Sequence, residues 1–373
     1  MVNEQRIVKE FLELVQVDSE TKYEREIADV LIRKFESLGV HVREDDTMNE
    51  TDHGAGNLIC TLEGNSDGDT IYFTSHMDTV VPGVGINPVV ENGYIKSDGT
   101  TILGADDKAG LAAMIEAIRV LKEQKLAHAT IQFIITVGEE SGLVGAKALN
   151  KNNLIAKYGF ALDSDGKVGS IIVAAPNQSK LQITVYGKTA HAGVAPEKGV
   201  SAITIASRAI SHMPLGRIDE ETTANIGRIE GGTQTNIVCD KVHILAEARS
   251  LVKEKLQKQV TAMKEAFEQA ASDMGGNVEV IIQEMYPGFK HGEGDQVVEV
   301  AKNAIAAIGR EPNLLQSGGG SDANIIAGFG IPTINLGIGY EEIHTTNEKL
   351  SIEELVKTAQ LVVQICRQAV TVK

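Results

Sequence analysis

Thr130-Ile131-Gln132-Phe133-Ile134-Ile135-Thr136-Val137-Gly138-Glu139-Glu140-Ser141-Gly142 decides how this chain is read. From Thr130 to Val137 the run is almost continuously apolar or β-branched. A strand buried under helices on both faces needs that composition, whereas a strand with one wet face alternates. A glycine then turns the chain, and two carboxylates follow at once. The same rhythm recurs on either side. Thr70–Thr74 is apolar and leads into Ser75-His76-Met77-Asp78; Tyr158-Gly159-Phe160 leads into Ala161-Leu162-Asp163-Ser164-Asp165. Between them, Asp107–Gln124 carries Leu111, Met114, Ile115, Ile118 and Leu121 at helical spacing. Residues 57–62 read as a further strand and residues 4–16 as a helix. A second helix runs to Leu38, with Thr21-Lys22-Tyr23-Glu24 as its capping box and Gly39 as its left-handed stop. Glu91-Asn92-Gly93-Tyr94 reads as a hairpin turn. Alternating strands and helices of this kind predict an α/β/α sandwich.

The rhythm changes after Pro176. Leu181-Gln182-Ile183-Thr184-Val185-Tyr186 alternates with period two, the pattern of a strand with one solvated face. A helix at about 199–213, strands at about 222–230 and 236–248, a long helix at about 252–273 and a strand at 278–285 follow. That β-α-β-β-α-β order predicts a ferredoxin-like α+β unit with two helices on one face of one sheet. Past residue 290 the α/β pattern resumes, with helix 295–308, strand 332–336 and helix 352–370. The sequence therefore predicts an inserted domain, 178–287, inside a discontinuous one formed by 1–177 and 288–373.

Bulk composition narrows the function classes. The 373 residues carry 51 acidic and 35 basic side chains, a formal charge of -16. A sequence-independent grip on nucleic acid needs a basic surface, so that class is disfavoured. No apolar run reaches the roughly 18 residues that a membrane span requires. The N-terminus lacks a basic-then-apolar signal pattern, which makes the cytoplasm the expected location. Cys60, Cys239 and Cys366 are scattered and odd in number, which suits reduced, buried thiols.

The chemistry-bearing residues stand at the ends of the apolar elements, where open α/β sheets place their sites. His76 follows one strand, and Asp78 two residues on is close enough to accept the second imidazole N–H and fix the tautomer. Asp106 and Asp107 in Gly104-Ala105-Asp106-Asp107-Lys108-Ala109-Gly110 stand at a loop-to-helix junction, where an N-cap explanation is also available. Glu139 and Glu140 are neighbours whose side chains diverge, so one suits a ligand and the other a base. Asp163 and His344 complete the order His, Asp, Glu, Asp, His. Two imidazoles and three carboxylates, one of them shared, suffice for two zinc sites; cobalt or manganese accept the same donors.

Together, SHMDTV, GADDKAG, GEE, LDSDG and IHTTNE resemble the dinuclear zinc exopeptidase family of peptidase T, carboxypeptidase G and the aminoacylases, and peptidase T-like aminotripeptidases above all. The resemblance implies two zinc ions per subunit, with His76 and Asp163 on one, Glu140 and His344 on the other, and Asp106 between them. It implies a cis peptide after Asp106, Asp78 orienting His76, and Glu139 as general base on a metal-bridging water. It makes the inserted domain a lid and a surface for homodimerisation. There, His191 of Gly187-Lys188-Thr189-Ala190-His191 would donate to the developing oxyanion. Asn236 and Arg249 would hold a substrate carboxylate. Ser317-Gly318-Gly319-Gly320-Ser321-Asp322 would line the cleft, although Gln316 and Ser317 stand where peptidase T commonly has an Arg. The implied activity is removal of the N-terminal residue from short peptides. A carboxypeptidase, a dipeptidase or an N-acyl-amino-acid amidohydrolase is the alternative of the same chemistry, and a non-catalytic metal-binding protein the remote one.

Overall fold

The computed structural model describes residues 1–370. They form two compact units, one of residues 1–174, 290–317 and 321–370, the other of residues 175–289 and 318–320.

The first unit is layered on a nine-stranded sheet. Its centre runs Leu58–Leu62, Ile131–Thr136, Ile71–His76, Tyr158–Ser164, Thr333–Gly337. Ile131–Thr136 is parallel to Ile71–His76 and antiparallel to Leu58–Leu62, so the sheet is mixed. All six residues of Ile131–Thr136 and of Ile71–His76 are buried, which is why neither segment alternates in sequence. Alternation survives in which face each residue serves. Ile71, Phe73, Ile131, Phe133 and Ile135 enter the main core, whereas Tyr72 and Ile134 enter a smaller cluster on the opposite face with Ile59, Leu149 and Ile326. Helices Glu4–Val15, Ala105–Glu123 and Ile352–Gln368 pack together on the main core. The register sets Phe133, Phe73 and Phe160 side by side on three adjacent strands. Their ring centroids are 5.9 and 5.6 Å apart, spacings at which an aromatic pair adds about 0.5–1.5 kcal/mol beyond area burial. Tyr72, facing the other way, places its hydroxyl 2.6 Å from that of Thr333.

The second unit is a five-stranded antiparallel sheet under two helices. Asn177–Tyr186 lies between Lys241–Ser250 and Asn277–Tyr286, and Thr222–Gly231 pairs outside Lys241–Ser250. The period-two reading of 181–186 becomes a set of cross-strand core pairs: Leu181 with Ala246, Ile183 with Ile244, Val185 with Val242. Ile205, Ala206 and Ala209 of helix Ala202–His212 pack into that core with Met263 and Phe267 of Lys253–Met274, while Ile203 stays exposed. Gly318–Gly320, far away in sequence, group with this unit. The Gly318 carbonyl accepts a hydrogen bond from Arg249 Nη1 at 3.0 Å. A Cβ on Gly320 would overlap the Tyr286 ring, so only glycine fits there.

The capping box expected at Thr21–Glu24 is absent. The helix is Arg25–Ser37, with Glu24 itself at the N-cap position. The Glu24 carboxylate is taken by the backbone N–H of Lys22 at 2.8 Å and of Gly54 at 3.0 Å. It therefore ties down a loop instead of reaching back to Thr21, whose N–H bonds the Thr79 carbonyl. Gly39 does close that helix in the left-handed region, at φ 66°.

Candidate metal centre

Three parallel strands bring the chemistry to one edge of the first unit. His76 is the last residue of Ile71–His76; Glu139 and Glu140 follow Ile131–Thr136 after the turn at Gly138; Asp163 sits near the end of Tyr158–Ser164. Asp106 and Asp107 lie at the start of helix Ala105–Glu123 with non-helical dihedrals, and the peptide between them is cis. The N-cap explanation holds for the second aspartate: Asp107 Oδ1 accepts the Gly110 N–H at 3.3 Å, while Asp106 is left free to face the imidazoles. His344 comes from a loop and holds φ 61°, a left-handed conformation that side chains other than glycine seldom adopt outside functional sites.

Asp106 is the hub. Its Oδ1 is 3.0 Å from His76 Nε2, and its Oδ2 is 3.2 Å from His344 Nε2. Asp163 Oδ1 stands 3.8 Å from His76 Nε2, and Glu140 Oε1 2.9 Å from His344 Nε2. One carboxylate thus presents a different oxygen to each of two imidazole–carboxylate pairs. His76, Asp106 and Glu140 offer donor atoms within 4.8 Å of one another, and so do His76, Asp107 and Asp163. The second set brings in Asp107, which the sequence reading left without a role.

Asp78 does more than the sequence expected of it. His76 Nδ1 lies 2.9 Å from the backbone carbonyl of Asp78 and 3.5 Å from its carboxylate. The carbonyl is therefore the closer partner for the tautomer. The carboxylate instead accepts the backbone N–H of Glu139 at 3.0 Å and of Glu140 at 3.2 Å. It holds the paired glutamates rather than the imidazole alone.

The electrostatics match a site built for cations. Burial, reinforced by the charge of Asp163, pushes Glu139 and Asp107 well above the ordinary carboxylate range. Burial and the charge of Asp106 do the same to Asp163. Burial opposes ionisation of Asp106 too, but hydrogen bonds from His344 and His76 outweigh it and hold that group low. His344 rises to about 10 on its bonds to Asp106 and Glu140. The imidazoles are thus asked to serve as cations for more acid than they neutralise. Asp107 Oδ2 and Asp322 Oδ1 are left buried without a hydrogen-bond partner. Lys108, fully buried, donates to Ser19 Oγ at 2.6 Å, and burial lowers it to about 8. Mixed imidazole and carboxylate donors around unmet acid fit divalent metal of the zinc, cobalt or manganese type.

Several supporting residues had no individual role in the sequence reading. Tyr340 donates its hydroxyl to Asp163 Oδ1 at 3.1 Å. Asn335 brackets the Asp163 backbone, accepting from its N–H at 3.0 Å and donating to its carbonyl at 2.5 Å. Thr136 hydrogen-bonds Asp322. Glu348, quoted in IHTTNE but given no role there, accepts backbone N–H groups from Leu103, Gly104 and Asp106.

The remaining sequence candidates belong to the second unit. His191 and Asn236 are brought together there: the Asn236 carbonyl accepts the Ala192 N–H at 2.9 Å. His191 Nδ1 accepts from Gly193 and Val194 N–H at 3.2 and 3.1 Å, which leaves its Nε2 to carry the proton. Both residues are exposed. The Arg249 guanidinium is engaged by Glu247 through Nε at 3.0 Å and Nη2 at 3.1 Å.

Comparison with known proteins finds relatives over nearly the whole chain. The model of peptidase family M20/M25/M40 matches residues 72–368. The chain is 73% identical to the Bacillus subtilis (strain 168) protein YqjE over 369 residues, covering 99% of this chain and 100% of that one. It superposes on the crystal structure of aminopeptidase PepT from Bacillus cereus with a TM-score of 0.96, at 70% identity and 99% coverage of both chains. It superposes on a tripeptidase from Staphylococcus aureus with a TM-score of 0.97, at 51% identity and 98% coverage of both.

Proposed function

The chain belongs to peptidase family M20/M25/M40, and from that premise we propose a metal-dependent exopeptidase that removes the N-terminal residue of short peptides, tripeptides above all. The observation that carries the metal chemistry is Asp106, whose two oxygens face two different imidazoles. The Bacillus cereus aminopeptidase and the Staphylococcus aureus tripeptidase support the choice of bond.

In this reading His76 and Asp163 would hold one ion, Glu140 and His344 the other, and Asp106 would serve both. Zinc is the proposed metal. Bound there, the metals acidify water and polarise the scissile carbonyl. Glu139 takes the proton of the attacking water and returns it to the leaving amine. It sits half-buried beside the ligands, and Asp78 fixes the backbone from which it reaches. His191 donates from Nε2 to the developing oxyanion. Asn236 and Arg249 hold the substrate carboxylate, Arg249 with the N–H groups that Glu247 and the Gly318 carbonyl leave unused. Cytoplasmic residence, the lid role and pairing of two copies through the inserted unit belong to the same proposal, on the strength of the resemblance alone. Among the described residues no helix is long and apolar enough to cross a membrane.

A substrate panel tests the reading: a tripeptide, the same peptide N-acetylated, a dipeptide and an N-acetyl amino acid, each with zinc-loaded protein. The proposal expects turnover of the free tripeptide and little of the acetylated one. Preferred turnover of N-acetyl amino acids would replace it with the deacylase alternative.

A further inference from the structure

Glu348 is 1% exposed and about 240 residues distant in sequence from the turn it contacts. Its Oε2 accepts the N–H of Leu103 at 2.7 Å and of Gly104 at 2.8 Å, and its Oε1 accepts that of Asp106 at 3.1 Å. Both oxygens are committed to backbone, so Glu348 is not itself a ligand. Three backbone N–H donors converge on this one buried carboxyl group. They grip the segment in which Gly104 turns left-handed at φ 73° and from which the Asp106 side chain leaves. A cap would serve its own helix; this carboxylate serves another element.

The other end of the clamp is the loop carrying His344. The Glu348 N–H bonds the Thr345 carbonyl at 3.3 Å, and the Glu348 carbonyl accepts the Ser97 N–H at 3.0 Å. Thr345 Oγ1 donates to the Glu342 carbonyl at 2.7 Å and accepts the Asn347 N–H at 3.1 Å. Residues 342–348 are thus a single braced turn that carries His344 within it and Glu348 at its end.

We propose that Glu348 is a positioning residue: it fixes the spacing between His344 and Asp106, and so the affinity of the metal site that these share with Glu140. The inference rests on the dinuclear reading above. It goes further by making one site depend on Glu348 more than the other, since His76 and Asp163 are held by Asp78 and Asn335 instead.

The test is calorimetric titration of chelator-treated protein with zinc alone, on wild type and Glu348→Gln. The Gln amide offers one acceptor oxygen and turns its own N–H groups on the remaining backbone donors. Wild type should take up two ions. Glu348→Gln should bind one ion as before and the second more weakly by about 10- to 100-fold, the usual cost of losing a partner behind a ligand. Two sites of unchanged affinity in a folded Glu348→Gln would overturn the inference while leaving the dinuclear reading intact. No binding by wild type would overturn that reading itself. If Glu348→Gln does not fold, Glu348→Asp decides, since it keeps the charge but is shorter by one methylene. Unequal weakening of its two sites supports the clamp, and equal weakening or none refutes it.

Discussion

Replacing Asp78 by Asn separates two accounts of that residue. Asp78 accepts the backbone N–H groups of Glu139 and Glu140 at 3.0 and 3.2 Å, one on each carboxylate oxygen. Asn keeps one acceptor oxygen and presents an NH2 group to the other donor, so one bond is lost and one buried N–H is left facing a donor. Hydrogen bonds to a charged group contribute about 1.5–3 kcal/mol each. If that contribution goes into holding Glu139 and Glu140 where the reaction needs them, turnover falls by about 10- to 150-fold. The His76 contact survives, because its nearer partner is the Asp78 carbonyl, which the substitution leaves in place. The assay is steady-state hydrolysis of a tripeptide at saturating zinc, with zinc affinity measured separately by titration of chelator-treated protein. The expected result is a fall in kcat, with the metal held by Glu140 weakened and that held by His76 retained. Turnover within about twofold of wild type, or selective loss of the His76 metal, would refute the reasoning.

Glu139→Ala should lower kcat by about 10²- to 10⁴-fold, the range of a lost general base, while metal content by elemental analysis stays near wild type. Phe73→Ala removes the middle ring of the Phe133–Phe73–Phe160 row and should cost about 3–5 kcal/mol in denaturant unfolding. A change under about 1 kcal/mol would mean that the row does not stabilise the sheet. Glu139, Asp163 and His344 all have raised pKa values in the metal-free fold. Each therefore holds protons that the unfolded chain releases, and stability falls as pH rises. For His344 the contribution is complete below its unfolded value of 6.5 and is lost as pH passes about 10. The gap in Tm between zinc-loaded and chelated protein should accordingly widen from about pH 6 to about pH 9; a constant gap would contradict the charge balance.

Much of this was legible before any coordinates. The apolar strands Ile71–His76 and Ile131–Thr136 lie buried on both faces, as their lack of alternation requires. Alternation at 181–186 marks a strand with one wet face for the same physical reason. Strand ends are where an open sheet exposes side chains to a ligand, so His76, Glu140 and Asp163 were visible as a set. The hidden part depends on long-range backbone contacts. Asp78 shows whether its carbonyl or its carboxylate meets His76 only once the 138–140 turn is folded against it. Glu348 looks like any acidic loop residue until Leu103–Asp106 is placed beside it. Thr21–Glu24 has the spacing of a capping box, but Gly54 and Lys22 claim the glutamate. A one-dimensional pattern carries no record of such competition.

The central claim is that Asp106 lies between two metal ions. Diffraction data from zinc-soaked crystals, collected on both sides of the zinc absorption edge, test it directly. The account predicts two anomalous peaks per chain, one between His76, Asp163 and Asp106 and one between His344, Glu140 and Asp106. A single peak, or peaks that leave Asp106 outside the coordination shell, would contradict it.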